Sequence, residues 1–351
     1  MPTTEQRVSA VWLGEGIATV PALLRDSGYV TGAFSASLPV NHRIIGLRDQ
    51  FDHFDASLSC AQGECASELN ELVLAWLRQP HAQPWFCYVH YTDVHHPYDA
   101  PPEYAARFSK TYRTLPVPDH WWMQRPRASG PTPEELEHIV AMYDAEIAYL
   151  DDQICRLLAE LRSNGGERNL AIVVASDHGD EFYEHGGFSH GQSLYEELTR
   201  CPLIMVWPGR IRPGVATDEW IQNVDIVPTI LELLEIPLPE DIDGESLRPY
   251  FEGRPRRRAA FSEQQGASVR SGRWKLWEDR FGALRLYDLQ SDPGESANVA
   301  VAELDTLRAL SATLERWKGG LEPPPVAAER PDAPTLDPVT EERMRALGYL
   351  E

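Results

Sequence analysis

The chain is short of positive charge. Lysine and arginine number 32 against 54 aspartate and glutamate residues, a formal net charge of -22 over 351 residues. Such an excess of acid repels nucleic acid and anionic lipid surfaces, so neither is an expected partner. An anionic substrate then has to be drawn in by a local device, a cation or a knot of histidines, rather than by the overall field. Cysteine is sparse and odd in number, with five residues at 60, 65, 87, 155 and 201. That count points to free core thiols rather than a disulfide framework; Cys60 and Cys65 could pair, but nothing requires it. No apolar run is long enough to span a bilayer. Residues 1–10 lack the basic start and apolar centre of a signal peptide. These absences make a reducing, cytoplasmic setting the expectation.

What is present is an ordinary globular composition, 42% apolar and 25% charged, long enough for one large core or two unequal ones. Helical spacing marks residues 17–29, 67–79, a long stretch from Pro133 to a stop at 164–166, 192–198 and 224–234. In the long helix Ile139, Met142, Tyr143, Ile147, Leu150, Ile154, Leu157, Leu158 and Leu161 form the apolar stripe. Strand-like runs cover 29–35, 85–91, 170–176 and 203–207, and the Pro-rich stretch 97–133 reads mostly as loop. Helices alternating with buried strands imply an α/β fold around a largely parallel central sheet flanked by helices. After residue 253 the pattern changes. Short runs at 257–263, 267–270, 274–278 and 284–289, separated by Gly and Asp, predict a small antiparallel sheet, followed by a helix over 301–317. The expected organisation is an α/β catalytic domain over 1–253, an antiparallel subdomain over 254–320, and a Pro-rich tail with a short terminal helix over 321–351.

The chemistry gathers behind the run 170–176. Asp177, His178 and Gly179 follow it directly, and the loop to residue 191 adds His185, His190 and further carboxylates. The carboxyl end of a buried strand is where open α/β sheets hold their ligands. Adjacent Asp and His side chains on irregular backbone can turn toward one cation, which neighbours inside a strand cannot. Asp177 and His178 are therefore read as ligands of one divalent cation, a donor pair suited to Zn, Mn, Fe or, with more oxygen donors, Ca. A second cluster, His90, His95 and His96, lies at the end of the 85–91 strand. His95, on the loop, is the residue expected to hydrogen-bond an anionic oxygen or protonate a leaving group; His90, still in the strand, reads as structural. His190 precedes a helix start, a natural place to meet an anion, and His185 could support the site.

Residues 187–191 also fit the G-x-S-x-G nucleophile elbow. That elbow needs a strand directly before its serine and a histidine later in the chain. Neither is here, since none of the 11 histidines lies beyond His190.

Taken together, these residues resemble the sulfatase branch of the alkaline-phosphatase superfamily. The matching stretches are 29–34, 90–102, 143–151, 176–181, 185–186, 190–191, 195–197, 201–204, 223–229, 243–247, 274–276 and 287–295. The resemblance implies a hydrolase of sulfate esters with a single divalent ion (Ca, Mn or Zn) on Asp177 and His178, and a small anionic ester as substrate. It places His95 and His190 against the sulfate or phosphate and the leaving group. His185 is the further candidate for substrate contact. Many sulfatases have Asp-Asn or Asp-Gln where this chain has Asp-His, a feature shared with sulfatase-like phosphoesterases. A phosphodiester or phosphonate-ester hydrolase, or a phospho-group transferase, is thus the close rival, and a non-catalytic binding module the more distant one.

The family also opens with a strand carrying an acidic metal-binding pair, then a Cys- or Ser-x-Pro-x-Arg element that supplies the nucleophile. This sequence contains neither. Ser37-Leu38-Pro39 has Asn41 in place of the arginine, and Cys201-Pro202 has its proline one position early. The expectation is a sulfatase-like chain incomplete at its N-terminus and inactive on its own. Oligomeric state is not legible.

Overall fold

The computed structural model describes residues 11–12, 17–37, 44–58, 65–119, 122, 130–163 and 169–321. They fall into two compact units, the first ending at residue 163 and the second running from 169 to 321. Among the described residues no helix is long and apolar enough to cross a membrane.

In the first unit, β1 (Val11–Trp12) precedes α1 (Val20–Asp26) and β2 (Val30–Ser35). Then come β3 (Ile44–Ile45), β4 (His53–Asp55), α2 (Ala66–Leu77) and β5 (Trp85–His90). Strands β4, β2 and β5 form a parallel sheet in that order, and β1 pairs with β3, also in parallel. α1 starts where the Thr19 hydroxyl accepts the N–H of Ala22 at 3.4 Å, with Pro21 in its first turn. Gly28, at φ 87°, turns the chain out of it into β2. The core here joins Phe34, Leu69, Val73, Trp76 and Leu157. A Cβ on Gly32 would come within 2.8 Å of the Trp76 ring, so that close approach requires glycine.

α3 (Pro102–Phe108) rises within the proline-rich stretch, because Pro102 sits in its first turn, where no N–H is needed. α4 (Pro133–Ser163) opens with a capping box: Glu135 N–H donates to the Thr132 hydroxyl and Thr132 N–H to the Glu135 carboxylate. Its buried face runs through Ile139, Met142, Ala145, Glu146, Tyr149, Gln153 and Leu157. Ile147 of the expected stripe is 44% exposed. The face is partly polar, with the Gln153 carbonyl accepting the Asn70 amide at 2.9 Å, and a purely apolar stripe could not register that. The predicted stop at 164–166 lies outside the described residues, as does the tail beyond 321.

Cys65, the residue before α2, is disulfide-bonded, a possibility the sequence left open. Cys87, Cys155 and Cys201 are free; Cys60 lies outside the described residues. α2 receives its N-terminal cap from a distant residue. The buried Asp93 carboxylate accepts the N–H groups of Cys65 and Ala66, both at 2.8 Å.

The second unit begins with β6 (Ile172–Ala175), the hairpin β7 (Glu181–Phe182) and β8 (Phe188–Ser189), and α5 (Glu196–Thr199). β9 (Leu203–Val206) pairs antiparallel with β6, a local exception to the parallel arrangement, since alternation of elements does not by itself fix strand direction. α6 (Ile226–Leu233) and the short α7 (Arg248–Phe251) follow. Asp225, fully buried before α6, accepts N–H groups of Gln222 and Glu245 and pairs with Arg258, so it serves as an internal anchor. β10 (Ala260–Glu263), β11 (Gly266–Ser271), β12 (Trp274–Asp279) and β13 (Leu284–Asp288) make the expected antiparallel meander. α8 (Leu304–Gly320) packs Leu310 and Leu314 on Val269, Leu276 and Leu286 of that sheet. The fold is α/β, with a parallel sheet and an antiparallel C-terminal sheet.

Candidate functional site

β6 is short and its chain end is fastened. The Asn223 side chain donates to the Ser176 carbonyl at 2.9 Å, and the Ser176 hydroxyl donates to the His178 carbonyl at 2.6 Å. Gly179 then passes so close to α5 that an added Cβ would lie 2.1 Å from the Glu197 carbonyl oxygen. Only glycine fits there. Its N–H donates to the Leu198 carbonyl at 3.0 Å. The backbone of residues 176–179 is thus fixed on both sides, and the side chains of Asp177 and His178 leave it from known places.

The two converge. Asp177 Oδ2 lies 3.7 Å from His178 Nε2, and Asp177 Oδ1 accepts the His178 backbone N–H at 3.1 Å. His178 Nδ1 faces the Gly179 carbonyl at 3.0 Å. A carbonyl only accepts, so Nδ1 carries a proton, and Nε2, on the side toward Asp177, is the nitrogen a cation would use. A ring orientation fixed in this way is usual for a metal-binding histidine.

His190 joins from the far arm of the β7–β8 hairpin. Its Nδ1 is 2.7 Å from Oδ1 of Asp180, whose side chain is only 5% exposed, and its ring lies on that of His178 with centroids 3.8 Å apart. Donor atoms of His178, Asp180 and His190 all fall within 4.8 Å of one another. The hairpin is held by buried Glu181, whose carboxylate accepts the N–H groups of His185 and Gly187 and the Gln192 amide. Asp180 was not singled out by sequence reasoning. Its signal was the second acid in the run Asp-His-Gly-Asp, whose burial depends on the hairpin closing.

His185 points elsewhere within the same unit. Its ring lies flat on Tyr195, with centroids 3.5 Å apart and planes at 9°, and its Nε2 is 3.6 Å from a Glu197 carboxylate oxygen. In the first unit, His95 follows β5 on a turn closed by its N–H to the Thr92 carbonyl at 2.9 Å. Its Nδ1 donates to the His96 carbonyl at 2.6 Å, and its ring lies 4.2 Å from that of His96. His90 stays in the strand beside the Ser35 hydroxyl, at 3.3 Å. Of the motifs set aside as nucleophiles, Ser37 is buried, while residues 38–41 lie outside the described set. Burial, and then the nearby Asp177 charge, push the Cys201 thiol up to about 11, far from the thiolate a nucleophile needs.

These residues can hold a divalent cation on an acid and an imidazole, with a second, carboxylate-anchored imidazole beside them. Comparison with known proteins identifies the family. Residues 3–236 match the sulfatase family, and residues 183–317 match the family described as N-sulphoglucosamine sulphohydrolase, C-terminal. Arylsulfatase K of Xenopus laevis is 28% identical over 273 residues, 64% of this chain and 50% of that protein. The chain spans about half the length of the curated relatives it matches. Two solved structures share the fold. One is an enzyme in complex with its substrate D-glucosamine-2-N,6-O-disulfate (TM-score 0.70, 21% identity, covering 89% of this chain and 84% of that one). The other is the phosphonate monoester hydrolase of Agrobacterium radiobacter (TM-score 0.69, 20% identity, covering 87% and 80%). With a match that takes in the β6 loop, His95 and His190 alike, the chain belongs to the sulfatase family.

Proposed function

We propose that this chain belongs to a hydrolase of small sulfate esters that works with one divalent cation on Asp177 and His178. The observation that carries the reading is the approach of Asp177 Oδ2 and His178 Nε2 to 3.7 Å, with the other imidazole nitrogen already committed to a carbonyl. A hard carboxylate beside one imidazole fits Ca, Mn or Zn. When bound, such a cation polarises an ester oxygen and offsets charge developing on it. His190 and His95 are assigned to the anionic group and the leaving oxygen, each with Nδ1 facing an oxygen acceptor. His185 is left out of the reacting set, since its ring is engaged by Tyr195 and Glu197.

The nucleophile this chemistry requires is not among the 351 residues, which contain no Cys- or Ser-x-Pro-x-Arg element. Turnover then belongs to a form of the protein that carries one, while the chain as written binds the cation alone. The test is metal analysis of the purified chain, together with hydrolysis of an aryl sulfate and an aryl phosphonate monoester. The expected result is about one cation per chain and no turnover, with aryl sulfate preferred once a nucleophile element is joined to it. Turnover by the chain alone would overturn the missing nucleophile. A preference for the phosphonate would move the reading to phosphorus, and absence of bound metal would defeat it.

A further inference from the structure

Asp180 and His190 are opposite one another by construction. In the β7–β8 hairpin Glu181 pairs with Ser189 and Phe182 with Phe188, so the next pair along the ladder is Asp180 with His190. Three features then fix the imidazole. The Asp180 carboxylate, 5% exposed, lies 2.7 Å from His190 Nδ1. The Ser189 hydroxyl sits 3.3 Å from the same nitrogen. The backbone on either side of His190 is left-handed, with Ser189 at φ 65° and Gly191 at φ 89°. A buried serine in that region is uncommon, and such conformations persist only where surrounding contacts hold them.

We propose that Asp180 is the positioning residue for His190: it takes the proton-bearing Nδ1 and so turns Nε2 toward the ester. This rests on the assignment of His190 to the substrate's anionic group. The competing role for Asp180 is a third ligand of the cation, given the proximity of His178, Asp180 and His190 donor atoms. The 2.7 Å contact sets one Asp180 oxygen against His190 Nδ1, the geometry of a carboxylate that orients an imidazole, and metal content tells the two roles apart. Asp180 acts through His190, and its removal should change which ring nitrogen is protonated before it changes metal content.

The test is nuclear magnetic resonance of the full chain labelled with 15N at histidine, which reports the protonated ring nitrogen without any turnover. In the unaltered chain His190 is expected to carry its proton on Nδ1. A proton on Nε2 alone would overturn the proposal, and this measurement needs no variant to fold. In Asp180→Ala the Nδ1 signature of His190 should be lost while that of His178, and the bound metal, remain; Asp180→Glu should restore it in part. Loss of metal in Asp180→Ala to the extent seen in His178→Ala would make Asp180 a ligand and sink the positioning role. In the form that turns over, Asp180→Ala should lower kcat about 10- to 100-fold, the range for residues that orient an active group, with a smaller effect on KM. Failure of the sulfate-ester reading would show in the metal and substrate assays and leave the ring signatures untouched.

Discussion

The imidazole of His178 lies on that of His190 with centroids 3.8 Å apart and planes tilted by 31°. They stand twelve positions apart in sequence, and each has Nδ1 held by an oxygen, the Gly179 carbonyl for one and Asp180 for the other. On the proposed assignment, His178→Ala removes a cation ligand together with the surface on which His190 rests. The expected outcome is a fall in divalent-cation affinity beyond the roughly 100-fold reached when only a supporting residue is lost. Metal titration followed by calorimetry measures it, and an unchanged affinity would remove His178 from the ligand set.

Gly179 admits no side chain. With the Glu197 carbonyl oxygen 2.1 Å from the place a Cβ would take, Gly179→Ala has to push the 176–179 backbone away from α5. Overpacking of this kind costs about 1–3 kcal/mol. Urea denaturation should show that loss, and metal binding should weaken with it, because Asp177 and His178 flank the displaced peptide. A variant as stable as the parent would mean the loop is looser than the contact implies.

Lys275 is only 1% exposed and lies 3.0 Å from carboxylate oxygens of both Glu196 and Glu295. Lys275→Met keeps the stem but takes the ammonium from buried Glu295, while Arg270 stays 4.0 Å from Glu196, a change expected to cost roughly 3–5 kcal/mol. Burial holds the Glu295 carboxyl above its ordinary 4.5, and Lys275 pulls it back down. A carboxyl raised in the folded state contributes stability that is complete below 4.5 and is lost as pH climbs through the raised value. Without Lys275 that loss steepens, so the deficit should be larger near pH 8 than near pH 4.5. Denaturation at the two pH values checks the sign.

The free thiols should sort by environment. Burial pushes Cys87 up to about 12, and burial with the Asp177 charge pushes Cys201 up to about 11, whereas Cys155 is exposed. At neutral pH the Cys201 thiolate fraction is on the order of 10⁻⁴. Iodoacetamide followed by mass spectrometry should label Cys155 first and leave Cys201 nearly unmodified. Rapid labelling of Cys201 would reopen it as a nucleophile.

Much of this could be read in advance where the information is local. The β5 and β6 runs, α2, α4 and the four C-terminal strands all lie within a few residues of where composition and periodicity put them, because alternation, capping residues and turn glycines act over short distances. Asp177 and His178 were legible for the same reason: they are adjacent, and they follow a strand. Ile147 was misplaced because its burial depends on what faces α4. Asp93 was invisible as a cap, since it serves a helix more than 25 residues earlier.

The sequence by itself determined the element order, the family pattern and the paired acid and imidazole, since each is written in neighbouring residues. Only the tertiary structure decided which further groups engage that pair. Closure of a two-residue-stranded hairpin sets Asp180 against His190 and turns His185 onto Tyr195. The physical reason is that hydrogen-bond partners and burial are properties of distance in space, and a loop brings together residues whose spacing in the chain carries no sign of it.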